Sequence, residues 1–234
     1  MKAIWLRELR AYFQSPIGYT FMGFFLLVAG LFFTVENLNQ GSASFAQTLS
    51  SMSFIFMLLV PILTMRLMAE DRKAKTDQML LTAPVSVWEV VWGKYLAAVC
   101  MLAATLLISL IFPIILARYA ELSALEILCG YIGFFLLGCS FIAIGLLMSS
   151  LTENQVTAAA GSFALLLAIY LMDMLLTGIN LPWLAAVLSW LSAYRRFQGF
   201  TSGILSFSAV MYFLSFSGLF VFLCVRSVER RRWS

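Results

Sequence analysis

Six apolar runs, each long enough to cross a membrane, constrain the fold of this chain more than any other feature. A membrane-spanning helix needs about 20 predominantly apolar residues, and the runs lie at about 17–36, 52–69, 93–117, 126–150, 156–177 and 204–225. Only 11% of the residues are charged, against about 25% in soluble domains. A transmembrane β-barrel would instead alternate polar and apolar residues over segments of about 10 residues. We therefore predict an all-α integral membrane protein, with residues 1–234 forming a single transmembrane domain.

The positions of the basic residues predict how the spans are oriented. All but three of the 15 lysines and arginines precede span one, flank the loop between spans two and three, or follow span six. Short cytoplasmic loops of membrane proteins carry an excess of such residues. Both termini and the 69–86 loop are therefore expected in the cytoplasm. The exceptions, Arg118, Arg195 and Arg196, would lie on the outer side.

Residues 1–15 predict a helix that lies in the cytoplasmic interface of the membrane. Trp5, Leu9, Tyr12 and Phe13 recur at helical spacing, and Pro16 follows. Such a stripe would place its aromatic rings at the depth of the lipid headgroups. The alternative is a plain extension of span one.

The stretch 69–86, AEDRKAKTDQMLLTAPVS, concentrates charge between two apolar runs. Its acidic residues come first, which suits the dipole at a helix N-terminus, and Pro84 disfavours helical geometry at residue 83. We predict a short cytoplasmic helix over 70–82, and a second amphipathic piece over 85–97 that leads into span three. An element continuous with two spans can pass motion from a soluble partner into the membrane. The alternative is a solvated loop.

No pattern in the sequence indicates catalysis or nucleotide binding. The chain has no histidine, which is the commonest general base and metal ligand. Its only Gly-Lys pair, Gly93–Lys94, lacks the upstream glycine and the following Ser or Thr of a phosphate-binding loop. We therefore expect no enzyme activity, no metal site and no cofactor bound by this chain. If the protein uses ATP, a partner must hydrolyse it.

Ionisable residues at membrane depth are candidate functional residues, because they are costly to place there. Asp173 lies toward the outer end of span five, where it could contact a substrate or a second chain. Its alternative role is that of a carboxylate at the headgroup boundary. Arg195 and Arg196 form a basic pair that could bind lipid phosphates or an anionic group of a cargo. Their alternative role is to hold the outer segment in its fold.

Three strings in the sequence carry a resemblance to a known family. They are SPIGY after the first predicted helix, the segment after span two, and YRRFQGFTSGILSFSAVMYFLS with a terminal RRRW. The chain resembles the permease subunits of type-2 ABC exporters, especially the gliding-motility-associated type. In that family the segment after span two typically has an acidic residue, any residue and a basic residue, followed by Gly-Thr and a second acidic residue. A pair of leucines then precedes a proline. This chain has Lys75 where glycine is usual and otherwise matches with Glu70, Arg72, Thr76, Asp77, Leu80, Leu81 and Pro84.

The resemblance implies which residues bind which partners. A coupling helix would dock on a cytosolic ABC ATPase through Glu70, Asp71, Arg72, Lys73, Lys75, Thr76, Asp77, Leu80 and Leu81. Two copies of that ATPase would hold ATP and Mg, and a second permease chain, identical or a close paralogue, would complete the transporter. Residues 178–203 would form short re-entrant helices at the outer face.

The resemblance also implies a function. The chain would be the transmembrane subunit of an exporter in the bacterial inner membrane, moving an amphipathic or lipid-like substrate by alternating access. Membrane lipids and an accessory outer-face protein would be further partners, and nucleic acid would not. The alternative is a non-transporting mechanical or scaffold subunit of an envelope or gliding machine driven by the same kind of ATPase.

Overall fold

The computed structural model describes residues 2–39, 41, 44–75, 86–119, 123–175 and 192–232, and within these ranges it contains helices and no β-strand. The helices are α1 (Lys2–Gln14), α2 (Pro16–Phe32), α3 (Phe45–Thr64), α4 (Arg66–Lys73), α5 (Val87–Ser109), α6 (Ile111–Leu116), α7 (Ala124–Leu151), α8 (Gln155–Leu175), α9 (Ala193–Thr201) and α10 (Phe207–Arg232). A π-helical segment, Phe33–Asn39, continues α2.

Six helical stretches within the described ranges are long and apolar enough to cross a membrane. They are Pro16–Asn39, Phe45–Lys73, Val87–Leu116, Ala124–Leu151, Gln155–Met172 and Phe207–Arg230. The prediction of an all-α protein with six membrane-spanning helices is therefore confirmed.

Span two begins at Phe45, earlier than the predicted start at 52. The hydroxyl of Ser44 accepts a hydrogen bond from the backbone N–H of Gln47, and so caps the helix. Thr48 is buried, and its hydroxyl donates to Oδ1 of Asn37 at 2.9 Å. Ser44 and Thr48 thus have partners within the protein, and the helix extends through residues that the sequence alone marks as too polar for a span.

Span three also begins earlier than predicted, at Val87 instead of 93. Ser86 and Glu89 form a capping box, in which each side chain accepts a hydrogen bond from the backbone N–H of the other residue. The amphipathic piece expected over 85–97 is therefore mainly the first part of α5.

The central helix of the bundle is α7, which contacts α3, α4, α5, α8, α9 and α10. It is the most enclosed of the six spans, whereas α8 is the least enclosed. Phe56 of α3 and Phe134 of α7 pack with ring centroids 4.8 Å apart, and Phe25 of α2 lies 5.9 Å from each. Gly145 lets α3 approach α7 closely, because a Cβ atom there would lie 2.7 Å from the Cβ of Thr64.

A tight turn joins α1 to α2. Ser15 has an extended backbone, and Pro16 opens α2. Gly18 permits the turn, because a Cβ atom there would overlap the carbonyl oxygen of Tyr12. The turn folds α1 against α5, and Tyr12 from the predicted apolar stripe is 3% exposed. The stripe is therefore used in part for packing within the protein, and the interfacial position of α1 stays a prediction.

The described part of the predicted helix over 70–82 falls at the end of α4 and in the turn that follows it. α4 runs from Arg66 to Lys73, so Glu70 lies inside it. Lys75, just after the helix, adopts a left-handed backbone with φ of 56°. Glycine adopts this conformation far more readily than other residues do, which gives a physical reason for the glycine usual here in the permeases that the chain resembles. The other predicted docking residues, Thr76, Asp77, Leu80 and Leu81, lie outside the described residues.

Of the predicted outer segment 178–203, the structure describes residues 192–203. They include α9, whose N-terminus is capped by the Ser192 hydroxyl. Phe197 and Phe200 of α9 are buried, and Gly133 of α7 leaves room for the Phe200 ring. α9 therefore packs against the bundle, and the re-entrant arrangement of the whole segment stays a prediction.

Candidate functional site

Several charged side chains gather at one end of the bundle, which we call the basic end. α1 reaches it with Tyr12, whose hydroxyl donates to the carbonyl oxygen of Leu63 at the end of α3. Trp88 near the start of α5 packs against Phe222 of α10, with ring centroids 6.0 Å apart. The basic residues on the elements that meet here include Arg7, Arg10, Arg66, Arg72, Lys73, Lys94, Arg226 and Arg230.

Lys94 is the centre of the basic end. Its side chain is 2% exposed. Its Nζ donates to the carbonyl oxygen of Leu67 at 2.6 Å and to Oε1 of Glu8 at 3.1 Å, and it lies 2.6 Å from Oδ2 of Asp71. A buried ammonium needs such partners, because an unpaired charge in the protein interior is strongly destabilising. One side chain of α5 thus joins α1 and α4.

The residue before Lys94 explains how α1 comes within reach. A Cβ atom on Gly93 would lie 3.1 Å from Cγ2 of Ile4 and 3.4 Å from the backbone nitrogen of Trp5. α1 therefore crosses α5 at a position where α5 carries no side chain. The Gly93–Lys94 pair has a packing role and an ionic role in this structure.

Two further interactions hold α1 in place. The hydrogen bond from Tyr12 to Leu63 is 2.9 Å long, and burial raises the pKa of the Tyr12 phenol, so the hydroxyl stays a donor. Arg7 donates to Oε1 of Glu8 at 2.8 Å, and this bond raises the pKa of the Arg7 guanidinium. Glu8 therefore lies between two cations, Arg7 and Lys94.

On its other side, α4 is held by the hydroxyl of Ser149 from α7. This oxygen accepts hydrogen bonds from the backbone N–H groups of Met68 and Ala69, at 3.0 and 3.1 Å. It donates to the carbonyl oxygen of Met65, at 3.0 Å, where α3 gives way to α4. A single buried hydroxyl therefore fixes the position of the α3–α4 junction against the central helix.

Arg72 ties α4 to the connection between α7 and α8. Its guanidinium donates to the carbonyl oxygen of Ser150 at 3.2 Å and to Oε1 of Glu153 at 3.0 Å. The Arg72 side chain is 16% exposed, whereas that of Glu153 is 70% exposed. Arg72 thus has internal partners, although the sequence marks it as a docking residue.

A cleft of about 350 Å³ separates α1 from α4. Charged side chains of both helices line it, and Lys94 closes it on the α5 side. Glu70, on the cleft wall, forms an ion pair with Arg66 one turn earlier. The cleft leaves the two helices joined mainly through the Lys94 cluster, which we define as Lys94, Glu8 and Asp71.

The exposed part of the predicted docking segment is its tip. Lys73 and Lys75 are exposed, and neither makes a side-chain hydrogen bond or ion pair with another described residue. Asp71 and Arg72, one turn nearer the bundle, are bound internally. Of the five docking candidates that the structure describes, two are therefore exposed and two are attached to other helices, while Glu70 pairs with Arg66 within α4.

The other candidate residues lie at the opposite end and do not join the Lys94 cluster. The guanidinium of Arg196 lies 4.3 Å from the centroid of the Tyr212 ring and donates to the Ser208 hydroxyl at 3.5 Å. Arg195 is exposed in the first turn of α9. Asp173 belongs to α8, but its side chain is outside the described part of the structure.

Sequence analysis did not assign a role to Glu8, Lys94, Ser149 or Glu153. Lys94 carried a signal, since it is a lone cation followed by an apolar run, but it was counted only as evidence for orientation. Ser149 lies four residues after Gly145, and small residues at this spacing indicate only that helices pack closely. In the ranges that the structure covers, no three Cys, Asp or Glu residues come together as a metal site would require.

Comparison with known proteins gives two findings. A sequence model of the ABC-2 family transporter proteins matches residues 10–227. The chain is also 27% identical over 156 residues to the probable multidrug ABC transporter permease YbhR of Escherichia coli strain K12, and equally to the protein of that name in E. coli O157:H7. The matched part covers 66% of this chain and 42% of each relative, so the chain spans less than half of their length.

Proposed function

The chain belongs to the ABC-2 family of transporter proteins, and we propose that it is the transmembrane permease subunit of an ATP-driven exporter. A separate cytosolic ABC ATPase binds ATP and Mg and hydrolyses the nucleotide. The observation that carries this proposal is the Lys94 cluster, which connects the charged segment on α4 to α1 and to α5 of the membrane bundle.

In this proposal the basic end faces the cytoplasm. Lysine and arginine accumulate on the cytoplasmic side of membrane proteins, and the basic end holds most of those that the structure describes. Both chain termini then lie in the cytoplasm, and Arg118, Arg195 and Arg196 lie outside. The protein would reside in the bacterial inner membrane.

The exposed tip of α4 is the proposed docking site for the ATPase. Lys73 and Lys75 present two positive charges without described partners, and residues 76–82 complete the segment. An exposed ion pair contributes only about 0–1 kcal/mol. Docking therefore depends on a continuous surface, in which the two lysines contribute to recognition as well as to affinity.

The attached part of α4 transmits the motion. Asp71 binds Lys94 of α5, Arg72 binds Glu153, and Ser149 of α7 binds the backbone at the start of α4. A displacement of the tip would therefore move α1, α4 and the first turns of α5 together. This is the property that a coupling element of an exporter requires.

The working unit is proposed to contain two permease chains and two ATPases that alternate between inward-open and outward-open states. The apolar spans suit an amphipathic or lipid-like substrate, and the name of the E. coli relatives, a probable multidrug permease, agrees with such a cargo. Asp173 and Arg195 are candidate contacts for that cargo. Arg196 is a weaker candidate, because Tyr212 and Ser208 already bind its guanidinium.

To test the proposal, the tagged protein is purified from its native membrane, and the ATPases that co-purify with it are identified by mass spectrometry. ATP hydrolysis is then measured in lipid nanodiscs. The double reversal Lys73→Glu/Lys75→Glu should weaken ATPase binding about tenfold, a change of about 1.4 kcal/mol. Arg195→Glu, a reversal at the opposite end, is the matched control and should leave binding unchanged.

Asp71→Asn separates docking from transmission. It should leave the ATPase bound but reduce the stimulation of ATP hydrolysis by the permease. Absence of any ABC ATPase, or a wild-type complex from the double reversal, would contradict the docking proposal. Stimulated hydrolysis without movement of an amphipathic dye into inverted vesicles would support the mechanical role instead.

A further inference from the structure

A long apolar groove of about 850 Å³ lies on the side of the bundle formed by α5, α6 and α7. It runs from Ala103 in the middle of α5 to Ala117 at the end of α6, and Val210 of α10 completes one wall. Large apolar side chains on both walls are exposed, with Leu107 at 68%, Ile114 at 65% and Leu128 at 59%. The groove lies far from the Lys94 cluster along the spans.

The lining of the groove suits hydrocarbon. Apart from Tyr131, every lining residue is aliphatic, proline or phenylalanine. The hydroxyl of Tyr131 lies 3.1 Å from that of Ser109, so it has a hydrogen-bond partner within the protein. Water would find few partners in such a groove, whereas a hydrocarbon chain would contact its walls on several sides instead of one.

The length of the groove matches one leaflet of a bilayer. The segment from Ala103 to Ala117, which is helical except at Leu110 and Ala117, spans at most about 21 Å at a rise of about 1.5 Å per residue. Half of the hydrocarbon core of a bilayer is about 15 Å thick. The groove therefore reaches from about the bilayer centre to the headgroup region at the end opposite the basic end.

Arg118 lies at the mouth of the groove, at the end opposite the basic end. Arg118 directly follows Ala117 and is exposed, and its side chain makes no hydrogen bond or ion pair with another described residue. Glu126, in the first turn of α7, accepts a hydrogen bond from Ser44. A guanidinium binds a phosphate group through charge-assisted hydrogen bonds. The mouth thus offers a partner for a phosphate, and the groove offers one for a chain of methylenes.

We propose that this groove is a binding site for a resident glycerophospholipid of the leaflet opposite the basic end. One acyl chain lies between α5–α6 and α7, and Arg118 binds the phosphate. The lipid is a structural ligand that fills the side of the bundle, and it is independent of the proposed cargo and of ATP hydrolysis.

A photoreactive lipid tests the proposal. The chain is reconstituted into vesicles of equal parts phosphatidylethanolamine and phosphatidylglycerol, with a trace of phosphatidylglycerol that carries a diazirine in one acyl chain. After irradiation, the labelled peptides are identified by mass spectrometry. Labels should concentrate on residues 103–117 and 124–136. Equal labelling of all lipid-facing spans would overturn the proposal, because it indicates only the general lipid annulus.

Filling the groove gives the decisive comparison. Leu128→Trp should lower the groove labelling about tenfold, which corresponds to about 1.4 kcal/mol, or about two buried methylene groups. Ile114→Trp, on the opposite wall, should lower the groove labelling by a similar factor. Agreement between the two variants excludes a folding defect of one variant as the cause. Leu214→Trp is the matched control, because Leu214 is 55% exposed on α10 but does not line the groove.

Two further outcomes are informative. Arg118→Gln should lower the labelling of the groove by the phosphatidylglycerol probe, because the phosphate loses its cation. The labels that remain should still lie on residues 103–117 and 124–136, because the groove itself is unchanged. Unchanged labelling in Leu128→Trp and Ile114→Trp would overturn the proposal. So would cross-links between two copies of the chain through the groove, because a second copy would then be the occupant.

Discussion

Replacement of Lys94 by methionine would remove the charge at the centre of the basic end while keeping a side chain of similar length. The variant loses the bond to the Leu67 carbonyl and leaves Glu8 and Asp71 without their shared cation. Removing one partner of a buried ion pair costs about 3–5 kcal/mol. Glu8 and Asp71 are 15% and 23% exposed, so water compensates in part. We expect the free energy of unfolding to fall by about 2–3 kcal/mol.

The measurement is reversible unfolding of the purified chain in mixed micelles of mild detergent and dodecyl sulfate. Arg226→Met is the matched control, since the Arg226–Glu229 pair is 3.2 Å long and the Arg226 side chain is 68% exposed. A surface pair of this kind contributes about 0–1 kcal/mol. The double variant Lys94→Met/Asp71→Asn should recover part of the loss, because one uncompensated charge disappears with its partner.

Two results would refute this reasoning. Lys94→Met could prove as stable as Arg226→Met, which would mean that the buried ammonium contributes no more than a surface ion pair. Alternatively, the effects of Lys94→Met and Asp71→Asn could add within about 0.5 kcal/mol, as they do for independent sites. In either case the Lys94 cluster would not couple α4 to α5.

Three other substitutions test the packing around α4. Gly145→Ala should destabilise the chain by about 1–3 kcal/mol in thermal unfolding, because the new Cβ atom overlaps Thr64. The second substitution Thr64→Ala should recover part of this loss. Gly218→Ala is the control, because a Cβ atom there meets nothing within 4 Å. Lys75→Val should lower the unfolding temperature and Lys75→Gly should not, because only the glycine adopts the left-handed backbone without strain. Ser149→Ala should cost about 1–3 kcal/mol in the same assay, because it removes the side-chain oxygen that binds three backbone groups of the α3–α4 junction.

The six spans could be predicted because long runs without charge have few other stable folds. Their ends were less predictable, since they depend on partners that are distant in sequence. Thr48 is polar, yet it lies within span two because Asn37 accepts its hydrogen bond. The capping box of Ser86 and Glu89 is a local signal for the start of span three, but the prediction of a span from 93 did not use it.

The charged segment after span two could be located from its composition, but its division into an attached part and an exposed part could not be predicted. Asp71, Arg72 and Lys73 are consecutive in the sequence and look alike as charged residues. The first two bind Lys94 and Glu153, which lie 23 and 81 positions away in the chain, and only the third is exposed. Which charges face inward depends on the rotation of α4, and that rotation is set by its packing on α7.

The relative strengths of these interactions decide how force would pass through the chain. Exposed contacts at Lys73 and Lys75 contribute about 0–1 kcal/mol each, whereas the buried bonds of Lys94 and Ser149 each involve costs of about 1–3 kcal/mol or more when broken. A partner that pulls on the tip would therefore be released before α4 separates from α5 or α7. For the tip to do work on the membrane, its docking surface must be extended and its displacement small. In the proposed transporter, α1, α4 and the start of α5 would then move as one body. The flexible steps of its cycle would lie at the interface with the ATPase or between two permease chains.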